Sequence, residues 1–143
     1  MISAAMALLL ACVQGPLVWN WVNPLPGQLQ ITSPFGRRGH QMHPGIDLYA
    51  LVGTPVAAVA DGVVAAVGYN ELNGNFITVD HPDGVTSYYC HLSRILVLVG
   101  TIVVQGRVIG KSGNTGLSTG PHLHLGAYRR NKVFNPLYLL EEQ

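Results

Sequence analysis

Two short segments of this chain carry residues that could do chemistry together: His43-Pro44-Gly45-Ile46-Asp47 and His122-Leu123-His124. Between them they offer imidazoles and a carboxylate. That is a common donor set for a catalytic zinc, which takes three protein ligands and leaves a fourth position to water or substrate. Pro44 and Gly45 stand between His43 and Asp47, so that pair is not on a helix. The spacing predicts a turn feeding a strand over 46–49. His122 and His124 are two apart, and on a strand both side chains leave the same face. This differs from the helical HExxH arrangement and points to a metal site built on β-structure. Such a metal lowers the pKa of a bound water towards ~7 and polarises a carbonyl. The reaction then needs a base for the water's proton and a donor for the developing oxyanion. With no HExxH glutamate, histidines outside the ligand set are the candidates. Imidazole titrates near neutral pH and serves in either role.

The elements that must position these groups read as β-strands. From about residue 29 the pattern is short apolar runs broken by turn residues, with predicted strands at 28–32, 46–49, 55–58, 62–69, 76–80, 86–91, 107–111 and 122–128. Asp83-Gly84 between two runs is a strong hairpin signal, and Asn73-Gly74 marks another turn. The 17 glycines and 9 prolines suit frequent tight turns, and no long stretch after residue 29 has helical periodicity. Gly15, Pro16, Pro24, Pro26 and Gly27 make 14–28 an extended linker carrying Trp19 and Trp21. The tryptophans are read as packing of the N-terminal arm. Residues 2–13 are almost wholly apolar and end in Leu10-Ala11-Cys12. They lack the basic start of a secretory signal and are too short to span a bilayer. They are read as a helical arm making assembly contacts through residues 1–22, with a cleaved secretory or lipoprotein signal as the alternative. The predicted organisation is an arm and linker over 1–28 and a catalytic domain over 29–143.

Composition narrows the partners. A chain of 143 residues fits one domain with one core. Only 10% of residues are charged and the formal net charge is +1, with no Lys/Arg cluster that could track phosphates. Nucleic acid is therefore not an expected partner. Cys12 and Cys90 form no zinc-finger spacing and read as small buried thiols.

With these residues in view, the chain resembles the M23 family of zinc metallopeptidases, the lysostaphin/LytM-type peptidoglycan hydrolases. The resemblance runs from about Ile31 to Pro136, with its pieces in family order. They are Ser33-Pro34-Phe35-Gly36-Arg37-Arg38, the HxxxD motif of His43 and Asp47, Gly53-Thr54-Pro55-Val56-Ala57-Ala58 and Asp61-Gly62-Val63-Val64. His81-Pro82-Asp83-Gly84 and Tyr89-Cys90-His91-Leu92-Ser93 follow, and Gly113-Asn114-Thr115-Gly116-Leu117-Ser118-Thr119-Gly120-Pro121-His122-Leu123-His124 closes the set. The resemblance implies an all-β domain, a compact antiparallel sheet with a groove on one side. It implies one Zn2+ per chain on His43, Asp47 and His124, with His91 and His122 as catalytic, non-ligand histidines. It also implies peptide cross-links or stem peptides of bacterial peptidoglycan as substrate. The expected location is extracytoplasmic, in periplasm or wall, or virion-associated in a phage tail. A catalytically silent binding module is the rival from another class, and the retained ligand set speaks against it. The chain departs from the family at Gly126, where an acidic residue is usual, at Cys90, where a small one is usual, and in the apolar stretch 97–104.

The remaining motifs read blandly. His40 lies in a predicted loop and His81 at a hairpin turn, so both are taken as structural. The glycine-rich 113–120 segment lacks the GK[ST] ending of a phosphate loop and is expected to form a groove wall beside the HxH strand. The 56–67 stretch is similar to lipoyl- and biotin-carrier domains, but those need a modified lysine at a hairpin tip, and Lys111 and Lys132 are the chain's only lysines.

Overall fold

Alternation along two strands decides how the domain is built around its site. Residues Gly45–Tyr49 (β4) bury Ile46 and Leu48 completely, and Asp47 between them faces the other way. Residues His122–Arg129 (β12) bury Leu123, Leu125 and Ala127 completely, while His122 and His124 leave the opposite face. The two strands pair antiparallel with Leu123 opposite Leu48, Leu125 opposite Ile46 and His124 opposite Asp47. Side chains of period two then divide cleanly, one face to the core and one to the histidines and the carboxylate.

The computed structural model describes residues 20–140. Besides β4 and β12 these form β1 (Ile31–Ser33), β2 (Gly36–Arg38), β3 (Gln41–His43), β5 (Pro55–Ala57), β6 (Gly62–Asn70), β7 (Gly74–Asp80) and β8 (Val85–Leu92). The set is completed by β9 (Arg94–Ile95), β10 (Ile102–Val103), β11 (Val108–Lys111), β13 (Lys132–Phe134) and a 3-10 turn at Pro136–Tyr138. An eight-stranded sheet runs β1-β4-β12-β8-β7-β6-β10, with β13 pairing the far end of β12. A three-stranded sheet, β5-β11-β9, lies apart from it, and β2 and β3 form a hairpin. Every strand pair is antiparallel. Val56 and Ile109 of the small sheet join Ile46, Leu48, Ile77, Val79, Leu123 and Leu125 of the large one in a single apolar cluster. This is the all-β architecture that the turn-punctuated sequence predicts.

The eight predicted strands are all present, with ends shifted by up to three residues. The five further strands, β2, β3, β9, β10 and β13, have two or three residues each, too short for alternation to show. One of them, β3, changes the reading of the HxxxD motif. His43 is not in a turn but closes β3, Asp47 sits in β4, and Pro44 is the joint between the strands. Asp83-Gly84 turns β7 into β8, with Gly84 at φ 82°.

Trp21 is fully buried in the core cluster. Its amide donates to the Leu139 carbonyl at 2.7 Å, and the Val22 amide donates to Val59 at 2.9 Å. The last part of the predicted linker is therefore packed against the domain. Cys90 is a buried free thiol. The predicted apolar arm, Trp19 and Cys12 lie outside the described residues. Among the described residues no helix is long and apolar enough to cross a membrane.

Candidate metal centre and its cleft

On the site face of β4 and β12, Asp47 Oδ1 lies 2.9 Å from His124 Nδ1 and 3.1 Å from His43 Nε2. The two imidazole nitrogens are 3.2 Å apart. His43 Nδ1–H donates to the Pro34 carbonyl at 2.8 Å, which leaves Nε2 with its lone pair directed at the other two atoms. All three atoms are potential lone-pair donors, and a proton on His124 Nδ1 can bridge only its contact to Asp47. A cation at their centre satisfies all three. The spacings fit that reading, since donors at ~2.0–2.1 Å around a tetrahedral zinc lie about 3.3 Å from one another. His43, Asp47 and His124 are also the group of described side chains that could hold a metal ion. Burial alone would raise the pKa of Asp47. The hydrogen bond from His124 and the positive potential of His124, His43 and His122 outweigh it and hold the carboxyl well below the usual carboxylate range.

The other two predicted histidines stand beside this trio. The His91 ring centroid is 4.8 Å from that of His122 and 6.1 Å from that of His124. His122 Nε2 is 3.6 Å from Asp47 Oδ1. Both rings are set by backbone carbonyls of the 113–120 segment. His91 Nδ1–H donates to Thr115 at 2.8 Å, and His122 Nδ1–H donates to Gly120 at 2.7 Å. His122 thus turns its Nε2 towards Asp47, and the His91 ring stands beside His122 and His124. Burial pushes the His91 pKa down, which favours the neutral base. All five residues line one open cleft of about 310 Å³, with the 113–120 segment as one wall and the β2–β3 hairpin as another. His40 is exposed and not part of it. His81 is buried elsewhere, donating to the Asp61 carbonyl at 2.7 Å and accepting from Ser87 Oγ at 2.8 Å.

Three contributors were not assigned from sequence. Arg38 on β2 reaches Asp47 Oδ2 at 3.3 Å and also contacts Ser33 Oγ, so it holds the carboxylate with Oδ1 towards the histidines. Its signal was present in the 33–38 segment, without a role attached. Asn73 lines the cleft and donates to the Tyr88 hydroxyl at 2.9 Å. Thr115 supplies the carbonyl that orients His91. Only the tertiary contact reveals these last two.

An antiparallel sheet that presents a His-Asp-His donor set in an open cleft has the build of a metal-dependent hydrolase. The profile of Peptidase family M23 matches residues 41–136, and the chain belongs to that family. It is 44% identical over 114 residues to "DD-carboxypeptidase/endopeptidase Mpg" of Neisseria meningitidis, covering 76% of this chain and 26% of that one. It is 40% identical over 114 residues to "Glycyl-glycine endopeptidase ALE-1" of Staphylococcus capitis, covering 76% and 31% respectively. The chain thus spans between a quarter and a third of the length of these curated relatives. Among solved structures it resembles a zinc-containing peptidase from Vibrio cholerae, with a TM-score of 0.76 and 34% identity, over 82% of this chain and 38% of that one.

Proposed function

We propose that this chain is a zinc endopeptidase that hydrolyses peptide bonds in the cross-links or stem peptides of bacterial peptidoglycan. The observation that carries this reading is the convergence of His43 Nε2, Asp47 Oδ1 and His124 Nδ1 beside two further histidines in one cleft. Two imidazoles, one carboxylate and no thiolate suit a catalytic zinc, one per chain. The substrate class is supported by the names of the relatives, which describe DD- and glycyl-glycine endopeptidases. A peptidoglycan substrate supports a location outside the cytoplasm, in periplasm or wall, or in a phage virion.

When bound, zinc would supply Lewis acidity to a water and to the scissile carbonyl. The chain's own groups do the rest. Arg38 keeps Asp47 correctly turned, and the surrounding imidazoles keep it ionised. His91, held neutral by burial, takes a proton at Nε2. His122, with its Nδ1–H committed to Gly120, would have to carry a second proton at Nε2 to donate to the developing oxyanion or the leaving amine.

Mass spectrometry of muropeptides released from purified sacculi of several cross-link types, run alongside metal analysis, tests this reading. One zinc per chain and shortened cross-linked peptides are expected. His124→Ala should lose both metal and cleavage. His91→Ala and His122→Ala should keep zinc and lose roughly 10²–10⁴-fold in rate. Protein with intact ligands but no zinc rejects the metal assignment. Release of zinc by His122→Ala would mean that the roles within the HxH pair are exchanged.

A further inference from the structure

Strand alternation should hide His91. On β8, Val85, Ser87 and Tyr89 all point into the buried side, and the next residue of that parity is His91. Cys90 stands opposite His124, so an unbroken strand would turn His91 away from the cleft. The strand is broken there. Between β7 and β8 the pairing passes from Ile77 opposite Tyr89 to Asn75 opposite Leu92, which leaves one extra residue on β8. His91 itself has φ 62°, the left-handed region that residues other than glycine seldom adopt. A bulge of this kind re-aims a side chain. Here it brings the imidazole round to the cleft and lets Leu92 take the core position.

Something must hold so unfavourable a backbone, and the contacts converge on one residue. The His91 amide donates to Asn73 at 2.7 Å, and its ring donates to Thr115 at 2.8 Å. Thr115 is tied down by its own hydroxyl, which donates to the Leu92 carbonyl at 2.7 Å and accepts from the Asn75 amide at 3.1 Å. Gly74 and Gly116, both at positive φ, let the 73–74 turn and the 115–116 backbone touch, and a Cβ on either would overlap the other segment.

We propose that Thr115 is the positioning residue of this site: its hydroxyl pins the 113–120 segment to β7 and β8 so that its carbonyl keeps His91 turned into the cleft as the Nδ1–H tautomer. The proposal rests on His91 working in the cleft, as in the function proposed above, but its test does not depend on that function alone. Full-length parent, Thr115→Val and Thr115→Ser are compared in their zinc-loaded forms. Long-range ¹H–¹⁵N NMR of the histidine rings reads the tautomer, and steady-state cleavage of cross-linked muropeptides reads kcat and KM. Thr115→Val keeps the shape and deletes the hydroxyl. It is expected to retain one zinc per chain, to lose the protected Nδ1–H of His91, and to fall about 10²-fold in kcat with little change in KM. Thr115→Ser should restore the tautomer and most of kcat. A parent protein whose His91 carries its proton on Nε2 overturns the proposal, even if Thr115→Val fails to fold. So does Thr115→Val with parental kcat, or a Thr115→Ser variant as impaired as Thr115→Val. If the parent cleaves no muropeptide, the proposed function fails, and the NMR comparison still decides the role of Thr115.

Discussion

Gly45, the first residue of β4, shows how little space the candidate metal centre leaves. A Cβ there would come within 2.8 Å of His124 Nε2 and Cε1 and would overlap the Leu125 carbonyl. No flexible side-chain end can yield, because one obstacle is a donor ring and the other is backbone. Gly45→Ala should therefore displace His124 Nδ1 from Asp47 and His43. The expected result is a folded protein whose zinc affinity drops roughly 10–100-fold, the size of effect seen when a group that orients a ligand is lost. Competition with a chromophoric chelator measures it. Unchanged affinity would mean that β4 and β12 can part without moving the donors. At this same scale the histidine types were readable in advance, but their partners were not. Nothing in the spacing of Pro34, Thr115 and Gly120 says that their carbonyls select the tautomers of His43, His91 and His122.

The β7–β8 hairpin carries a second histidine system, one that serves the core. The Val59 amide donates to the Tyr89 hydroxyl at 3.0 Å, and the Tyr89 and Ser87 hydroxyls are 3.0 Å apart. Because His81 Nδ1–H is used on Asp61, its Nε2 must accept, and Ser87 spends its one proton there. Tyr89 then donates to Ser87, and the chain of bonds has a single direction. Burial pushes the Tyr89 pKa up to about 12 and holds His81 below its ordinary value. A histidine that is harder to protonate when folded binds fewer protons folded than unfolded. Its stabilising contribution is complete above the unfolded pKa of about 6.5 and is lost as pH falls towards the lower folded value. Urea midpoints at pH 5.5 and 7.5 should thus be further apart for the parent than for His81→Asn. Equal pH dependence in the two proteins would remove His81 from the account. This comparison isolates His81 from the candidate metal site, which is the same in both.

At the scale of the molecule, Trp21 ties the start of the described chain to its end. It is fully buried, forms a parallel bridge with Leu140 and packs 5.6 Å from the His81 ring. Trp21→Ala removes the largest wholly buried side chain and should cost about 3–5 kcal/mol of unfolding free energy, read by urea denaturation. Zinc should still bind, because every metal donor lies on strands that Trp21 does not join. A loss under 1 kcal/mol would show that the N-terminal segment is only loosely attached. The Pro/Gly content of 14–28 suggested a linker, whereas the burial of one side chain within it depends on a pocket made by distant strands.

The β-class of the fold and most of its strands were legible in the sequence because each rests on local physics. His43, Asp47, His122 and His124 stood out by type and spacing, whereas His91 was singled out only through the family resemblance. Alternation of apolar residues along 46–49 and 122–128 marks strands with one buried face, and the two-residue step puts His122 and His124 on the other. Which nitrogen of each histidine would face the others was not legible, since that depends on register: Asp47 opposite His124, and His43 brought in by the β3–β4 joint. Nor could alternation find His91, whose parity belongs to the core until a bulge turns it. That bulge is held by Asn73 and Thr115, the latter 24 residues away along the chain. Local pattern decides which residues can share a face. Only the closed sheet, with its register and the bulge at His91, decides which of them meet.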